Sequence, residues 1–97
     1  MFEGNTLFIG KKPIMNYVLT AVPKLEENKA LIVRARGMSI SKAVDVVLIL
    51  KDRYAKGCFI HGIDINTEVL DGDNGERVNV SSIEIRLGMT SSPGATG

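Results

Sequence analysis

The sequence is poor in the residues from which most catalytic and metal sites are built. Its 97 residues include one cysteine, Cys58, one histidine, His61, and no tryptophan. A single cysteine cannot form an internal disulfide, and one cysteine with one histidine makes no zinc-binding cluster. No serine or cysteine lies in a recognisable nucleophile motif, so a catalytic triad is not expected. We therefore expect a protein that is not an enzyme and that uses no metal or cofactor.

Long apolar segments and targeting signals are also absent. The chain has no run of about 18 apolar residues, and its N-terminus lacks the pattern of a signal peptide. An apolar content of 44% with 24% charged residues is ordinary for a packed globular chain. We expect one soluble, cytoplasmic domain over residues 1–88 with no membrane partner. Residues 89–97 are small, polar and rich in glycine, serine and threonine, so we expect a flexible tail.

Positive charge is concentrated in the first half of the chain. Residues 1–56 contain ten bases and five acids, a net charge of +5, whereas residues 57–97 contain two bases and six acids, a net charge of −4. Together the halves give the overall charge of +1. A polyanionic partner would have to contact mainly the first half.

The first half alternates between strand and helix patterns. Residues 7–9 and 30–33 are short apolar runs that predict strands, and helical spacing follows each run over residues 14–26 and 41–56. Pro23 should bend or end the first helix near the residue before it. This half therefore predicts a β-α-β-α order.

The second half predicts a long C-terminal β-hairpin. Residues 60–70 alternate between apolar and polar side chains, and a turn cluster follows at residues 71–75. The apolar residues of the return strand change from even to odd positions, which predicts a bulge or bend at Ser81-Ser82. The predicted fold is α+β: a two-layer, mixed β-α-β-α-β-β sheet with two helices on one face.

The second predicted helix is apolar nearly all round. One stripe is suited to packing on a sheet: Ile40, Ala43, Val44, Val47 and Tyr54. Further apolar residues lie beyond that stripe: Val46, Leu48, Ile49 and Leu50. A chain of this size has little room to bury both surfaces, so we expect self-association through residues such as Val46 and Leu50.

Basic side chains are predicted to meet at one edge of the sheet. Lys11 and Lys12 follow the first strand, and Arg34 and Arg36 end the second. A β-α-β connection makes these strands parallel, so their ends lie together, and Lys42 lies nearby at the start of the second helix. A helix N-terminus beside the lysines also favours anions. The simpler interpretation is that these charges only aid solubility, but their clustering favours phosphate binding.

Several short motifs occur together in the chain. They are IGKKP at residues 9–13, MNYV at 15–18, ARG at 35–37, ISKAVD at 40–45 and NVSSIEI at 79–85. In combination they closely resemble the Alba family of archaeal chromatin proteins, over roughly residues 6–87. The resemblance implies a homodimer that binds double-stranded DNA with little sequence preference, and often RNA as well.

The resemblance also implies roles for particular residues. Lys11 and Lys12 would lie at the dimer centre and contact phosphates, helped by Arg36, with Asn16 and Tyr17 close by. Lys11 matches a lysine whose acetylation lowers DNA affinity in some members. The modification would remove one positive charge per subunit.

The chain departs from the family pattern in three places. Met38 stands where many members carry a base, and Tyr54 occupies a position, often phenylalanine, that is linked to contact between dimers. The hairpins would be arms that reach along the minor groove, but the turn at residues 71–76 is acidic and leaves Arg77 and Arg86 as the only bases of the hairpin. We therefore expect DNA contact to be centred on the dimer body.

Three functions remain open from the sequence: a chromosome-associated protein that coats and compacts DNA, an RNA-binding module, and a scaffold that binds a protein through its second helix. The first two would act by releasing counterions from phosphates. Tyr54 joins Val46 and Leu50 as a candidate interface residue. The candidate nucleic-acid-binding residues are Lys11, Lys12, Asn16, Tyr17, Arg34, Arg36, Lys42, Arg77 and Arg86.

Overall fold

The computed structural model describes residues 2–90. Its elements are, in order, β1 (Phe2–Glu3), β2 (Thr6–Phe8), α1 (Ile14–Asn28), β3 (Ala30–Arg36), a 3₁₀ turn (Gly37–Ser39), α2 (Ile40–Ile49), a π-helical turn (Leu50–Tyr54), β4 (Cys58–Asp71) and β5 (Arg77–Met89). The predicted α+β class and the β-α-β-α-β-β order are confirmed. The chain adds β1, which the sequence did not indicate because two residues are too few to show a period.

The sheet is mixed, with the strand order β1-β2-β3-β5-β4. β2 runs parallel to β3, with Leu7 opposite Val33 and Phe8 opposite Arg34. The other neighbouring pairs are antiparallel. The ends of β2 and β3 therefore lie at the same edge, as the β-α-β connection predicts.

One hydrophobic core joins both helices to the central strands. Alternate residues of β3, Leu31 and Val33, are fully buried, and so are Val18 and Leu25 of α1. The intervening β3 residues Arg34 and Arg36 are on the opposite side of the strand, since side chains alternate between faces. The basic end of β3 thus faces away from the core.

α1 continues through Pro23 to Asn28 and does not stop near residue 22. Pro23 is exposed, so its ring meets solvent, while Val18, Ala21 and Leu25 on the other side are buried. Packing of that buried side outweighs the local cost of the proline. The helix ends where Lys29 adopts a left-handed φ of 60° and donates its backbone N–H to the Leu25 carbonyl at 2.9 Å.

Of the bulge or bend predicted at Ser81-Ser82, the bulge is wrong. β4 and β5 pair without interruption there, and the irregularity lies on the other strand, between Ile60 and Gly62. Pairing of β5 with β3 ends where Ser82 faces Arg36. Beyond that point the sheet has only β4 and β5. The apolar side chains of β5 can therefore lie on the other face there without a change in strand register. We call this two-stranded part, residues 67–81, the arm.

β5 reaches Met89, the first residue of the predicted tail. Met89 donates its backbone N–H to the Lys29 carbonyl, and Thr90 donates to that of Gly57, both at 3.0 Å. Residues 91–97, the rest of the predicted tail, lie outside the described residues. Between residues 2 and 90, neither helix has the length and apolar character needed to cross a membrane.

Candidate nucleic-acid interface

Two exposed lysines lie on the connection between β2 and α1, which we call the lysine loop (residues 10–13). The Ile9 N–H donates to the Arg34 carbonyl at 2.9 Å, so the chain is held to β3 up to the residue that precedes the loop. Lys11 and Lys12 follow and are both exposed. Pro13 is extended, with φ −59° and ψ 149°, and α1 begins immediately after it. The loop therefore presents both ammonium groups to solvent beside a helix N-terminus.

Tyr17 holds the backbone of the lysine loop from the protein core. Its side chain is only 3% exposed, and its hydroxyl oxygen accepts hydrogen bonds from the backbone N–H groups of Gly10, at 2.8 Å, and Lys12, at 3.1 Å. A buried ring cannot lie against a nucleic acid. The prediction that Tyr17 contacts nucleic acid directly is therefore corrected. Tyr17 lies one turn into α1 and supports the loop.

Lys42 holds the same loop from the side of α2. Its Nζ donates to the carbonyl of Gly10 at 3.0 Å and to that of Lys12 at 2.8 Å. The structure thus brings Lys42 to the lysines, as the sequence predicts, but its ammonium group is directed at backbone oxygens. Its charge still adds to the positive field, whereas its hydrogen bonds fix the loop's shape.

The N-terminus of α1 adds unpaired donors next to the lysines. The helix has no side-chain cap and no acidic residue in its first turn. Asn16 is exposed in that turn, and its backbone N–H bonds to the Pro13 carbonyl at 3.0 Å. Uncapped N–H groups at the positive end of a helix favour an anion. Asn16 thus stays a predicted contact at an accessible position.

Arg34 and Arg36 lie at the same edge but are engaged by carboxylates. Arg36 Nη1 donates to Glu68 Oε1 at 3.0 Å, and Arg34 Nη2 lies 3.8 Å from Glu68 Oε2. Arg34 Nε also lies 3.6 Å from Glu84 Oε1. The sequence placed the two arginines with the lysines, and it missed both glutamates because the register of β4 and β5 was not known.

Arg86 extends this row of alternating charges. Its Nη1 lies 3.2 Å from Glu84 Oε2 and donates to Asp64 Oδ2 as well. These hydrogen bonds raise the pKa of Arg86 above its ordinary value, with Asp64 the larger contributor. We call the row of Arg36, Glu68, Arg34, Glu84, Arg86 and Asp64 the charge ladder. Three of the predicted phosphate contacts thus have acidic partners within the chain.

Arg77 lies apart from the other candidate bases, at the start of β5 beside the arm's turn. It is exposed and pairs in register with Asp71. The same turn carries Asp73 and Glu76. Arg77 is therefore surrounded by acids, which disfavours the arm tip as a phosphate contact.

An apolar surface remains exposed between α2 and the base of the hairpin. Ile40 and Ile65 line one concave cavity, and Ile65 is 76% exposed. Val44 and Leu48 continue along α2 at spacings of four residues and are 37% and 42% exposed. We call Ile40, Val44, Leu48, Ile63 and Ile65 the apolar strip.

The predicted interface residues Val46 and Leu50 are corrected by this arrangement. Both are fully buried in the chain's own core, because they lie on the side of α2 that packs inward. The exposed apolar residues of the helix are Val44 and Leu48. Tyr54 is 43% exposed and stays available for contact between chains.

The single thiol lies outside this interface. Cys58 is buried at the start of β4, and burial raises the pKa of its thiol above the ordinary 9.0 despite the opposing charge of Lys51. A protonated, buried thiol is a poor nucleophile. In the described range, 2–90, no three histidine, cysteine or acidic side chains are grouped so as to hold a metal ion.

Comparison with known proteins identifies the class to which this fold and loop belong. Residues 5–67 match the model of the Alba family. The chain is also 47% identical to DNA/RNA-binding protein Alba of Methanocella arvoryzae over 88 residues, which covers 90% of this chain and 92% of the relative. This chain therefore belongs to the Alba family.

Other relatives support the same family membership. DNA/RNA-binding protein Alba of Thermoplasma acidophilum is 47% identical over 90% of this chain and 98% of its own length. The solved structure of Alba from Thermoplasma volcanium superposes with a TM-score of 0.81 at 46% identity, covering 87% of this chain and 99% of that one. A Trypanosoma brucei Alba structure, at 23% identity and a TM-score of 0.75, shares the fold.

Proposed function

We propose that this chain binds double-stranded DNA without sequence preference and, as a homodimer, coats and compacts the chromosome. Nucleic-acid binding is supported by the relatives, which are named DNA/RNA-binding proteins. The observation that carries the proposal is the lysine loop, where Tyr17 and Lys42 fix the backbone while Lys11 and Lys12 stay exposed. A preformed cationic loop binds phosphates without first losing conformational freedom.

The binding is electrostatic. Each phosphate that a lysine neutralises releases condensed counterions, so affinity falls steeply as salt rises. Phosphate contacts position a protein on the duplex and carry no sequence information, whereas sequence is read at base edges. Because the surface offers the charge of the exposed loop and the N–H groups at the start of α1, and no base-reading helix, sequence preference should be slight.

The homodimer is supported by the apolar strip. An exposed patch on α2 and the hairpin needs a partner surface, and a second copy offers the same patch to a two-fold axis. Pairing would double the number of lysine loops on one particle. Tyr54, exposed after α2, would then be available for association between dimers.

Acetylation of Lys11 would weaken binding. The side chain is exposed, so a modifying enzyme can reach it. Acetylation removes its charge and with it one phosphate contact per subunit. The structure of the loop would persist, because the bonds of Tyr17 and Lys42 are made to its backbone.

RNA is the alternative polyanion, and the names of the relatives favour it as a second candidate. The loop binds phosphates, which both nucleic acids carry, so the same surface would serve. A-form RNA differs in groove shape and in its 2′-hydroxyl groups, and a preference must come from those. Duplex DNA and duplex RNA of equal length, measured side by side, separate the two functions.

The test is the variant Lys11→Glu/Lys12→Glu, titrated against a random-sequence DNA duplex across a salt series. We expect a loss of affinity of at least about tenfold at moderate salt and a slope reduced by about 0.9 for each lost phosphate contact. The control is Lys29→Glu/Lys56→Glu. Both of its lysines are exposed, and they lie where Met89 meets β3 and β4, at the opposite end of the sheet.

The control makes the same change of charge, so it separates local contact from net charge. Binding should persist in Lys29→Glu/Lys56→Glu with most of the parent's salt slope. If the two variants lose affinity equally, the lysine loop is not the contact. If the parent binds neither duplex at low salt, nucleic-acid binding itself is excluded, and a protein partner at the apolar strip becomes the function to test.

A further inference from the structure

Glu68 lies between the two arginines that border the lysine loop. One of its oxygens accepts from Arg36 Nη1 at 3.0 Å, and the other lies 3.8 Å from Arg34 Nη2. All three side chains are solvent-accessible, with 31% of Glu68, 44% of Arg34 and 56% of Arg36 exposed. The carboxylate therefore bridges two guanidinium groups at the surface and not in the core.

We propose that Arg34 and Arg36 form a phosphate site that Glu68 occupies in the free protein, as an internal competitor. Nucleic acid must displace this carboxylate to use the arginines. Glu68 thereby limits both affinity and the number of phosphates neutralised. The inference deepens the proposed function and rests on it.

The chemistry of the three groups allows the exchange. A guanidinium presents a planar fork of N–H donors that fits carboxylate and phosphate oxygens alike. An exposed ion pair between side chains contributes little to stability, because solvent screens it and two side chains must be ordered. A phosphate in a duplex replaces the carboxylate and also releases counterions, which favours binding further.

The site lies where a bound duplex would pass. A cavity of about 280 Å³ is lined by Phe8, Ile9, Arg34, Ala35, Arg36 and Glu68. Ile9 directly precedes the lysine loop, and its N–H bonds to the Arg34 carbonyl. A backbone that contacts Lys11 and Lys12 therefore has a neighbouring phosphate within reach of the arginines, beside an open space that can hold it.

Glu68 is also the ladder acid best placed to move away. It pairs with Val80 on the arm, two residues beyond the point where β3 stops pairing with β5 at Ser82. A displacement of the arm would withdraw Glu68, whereas Glu84 sits opposite Arg34 within the three-stranded part of the sheet. Arg34 keeps Glu84 in either case, so Arg36 should gain most from the removal of Glu68.

The experiment compares Glu68→Gln with Glu76→Gln on the same DNA duplex across a salt series. Both variants remove one negative charge from the same hairpin, but Glu76 is exposed at the turn, away from Arg34 and Arg36. We expect Glu68→Gln to bind about two- to fivefold more tightly than the parent. Its salt slope should steepen by about 0.9 for each phosphate gained. Glu76→Gln should keep the parent's slope.

A second comparison uses Arg36→Ala alone and combined with Glu68→Gln. If Glu68 acts by occupying Arg36, the gain in affinity must disappear in the Arg36→Ala background. The inference is overturned if Glu68→Gln binds no more tightly than Glu76→Gln, or if its gain survives without Arg36. In that case, parent binding that depends on Lys11 and Lys12 would still support the proposed function, and only the absence of parent binding would remove both.

Discussion

Two residues shape the candidate nucleic-acid interface without being its predicted charged contacts. Tyr17 supplies one oxygen to two backbone N–H groups, and Lys42 supplies its ammonium group to two backbone carbonyls of the same loop. A short loop with unpaired polar groups would sample many conformations, whereas these four hydrogen bonds restrict it. The ammonium groups of Lys11 and Lys12 are therefore displayed from a fixed backbone.

Tyr17→Phe removes only the hydroxyl oxygen and so tests whether that atom holds the lysine loop. The ring can stay in the core, but the N–H groups of Gly10 and Lys12 lose their acceptor, so we expect the free energy of unfolding to fall by about 1–3 kcal/mol. Nucleic-acid affinity should fall too, because the loop becomes mobile. Urea unfolding and duplex titration measure the two effects.

Tyr54→Phe is the matched control for that change. It removes the same atom from a side chain that is 43% exposed and whose hydroxyl hydrogen-bonds to no group within residues 2–90. Its stability and affinity should stay close to those of the parent. Equal behaviour of the two variants would mean that the hydroxyl of Tyr17 does not hold the loop.

Which basic residues share an edge could be predicted from the sequence, but their partners could not. A β-α-β unit forces parallel strands, and that alone brings Lys11 and Arg34 to the same edge. The ion pair of Arg36 with Glu68 joins residues 32 positions apart. It depends on the register of β4 against β5 and on the point where β3 ends, neither of which a period of two specifies.

At the scale of the element, α1 shows tertiary packing overriding a local rule. Pro23 lacks an N–H, so the carbonyl four residues earlier cannot make its helical bond, and the ring crowds that carbonyl. We expect Pro23→Ala to raise the free energy of unfolding by about 1–3 kcal/mol, since a proline in a helix interior costs about 3 kcal/mol relative to alanine. The greater freedom of the unfolded alanine chain offsets part of the gain.

Thermal and urea unfolding of Pro23→Ala provide the measurement. Its exposed position means that no core contact is lost with the ring. Duplex affinity should not change, because Pro23 lies more than two turns along α1 from the lysine loop. A variant no more stable than the parent would show that α1 already accommodates the proline without strain.

The errors made for α2 have the same cause as the error made at Pro23, which is packing against the rest of the chain. The apolar pattern of α2 could not distinguish the side that meets the chain's own sheet from the side left exposed. Val46 and Leu50 proved to be core residues, and Val44 and Leu48 the exposed ones.

The helix also widens after Ile49 into the π-helical turn, where Ala55 donates its backbone N–H to the Leu50 carbonyl at 2.7 Å. A single extra residue per turn leaves too slight a signal in the sequence.

At the scale of the whole molecule, the charged and apolar surfaces are separate. The lysine loop lies at the end of β2, and the apolar strip lies between α2 and the base of the hairpin. The charge ladder crosses β3, β5 and β4 on the face of the sheet that is turned away from the helices. A second copy could therefore cover the apolar strip while both lysine loops stay exposed, and the number of phosphate contacts per particle would double.

Leu48→Glu tests whether the apolar strip is the surface through which two copies associate. Leu48 is 42% exposed, so the folded monomer should tolerate the charge, but an interface would have to bury two unpaired carboxylates related by symmetry. We expect the dimer dissociation constant to rise by at least about 100-fold. Light scattering coupled to gel filtration measures the mass, and duplex titration should show weaker binding with a shallower salt slope.

The control is Leu19→Glu, the same substitution at an exposed leucine of α1 outside the apolar strip. It should remain dimeric at concentrations where Leu48→Glu is monomeric, because its carboxylate stays in water. Loss of the dimer in both variants would point to a general effect of the added charge, and a Leu48→Glu protein that stays dimeric would place the interface elsewhere. A parent that is monomeric at high concentration would exclude the homodimer, and the lysine loop would then have to act singly, with half the phosphate contacts per particle.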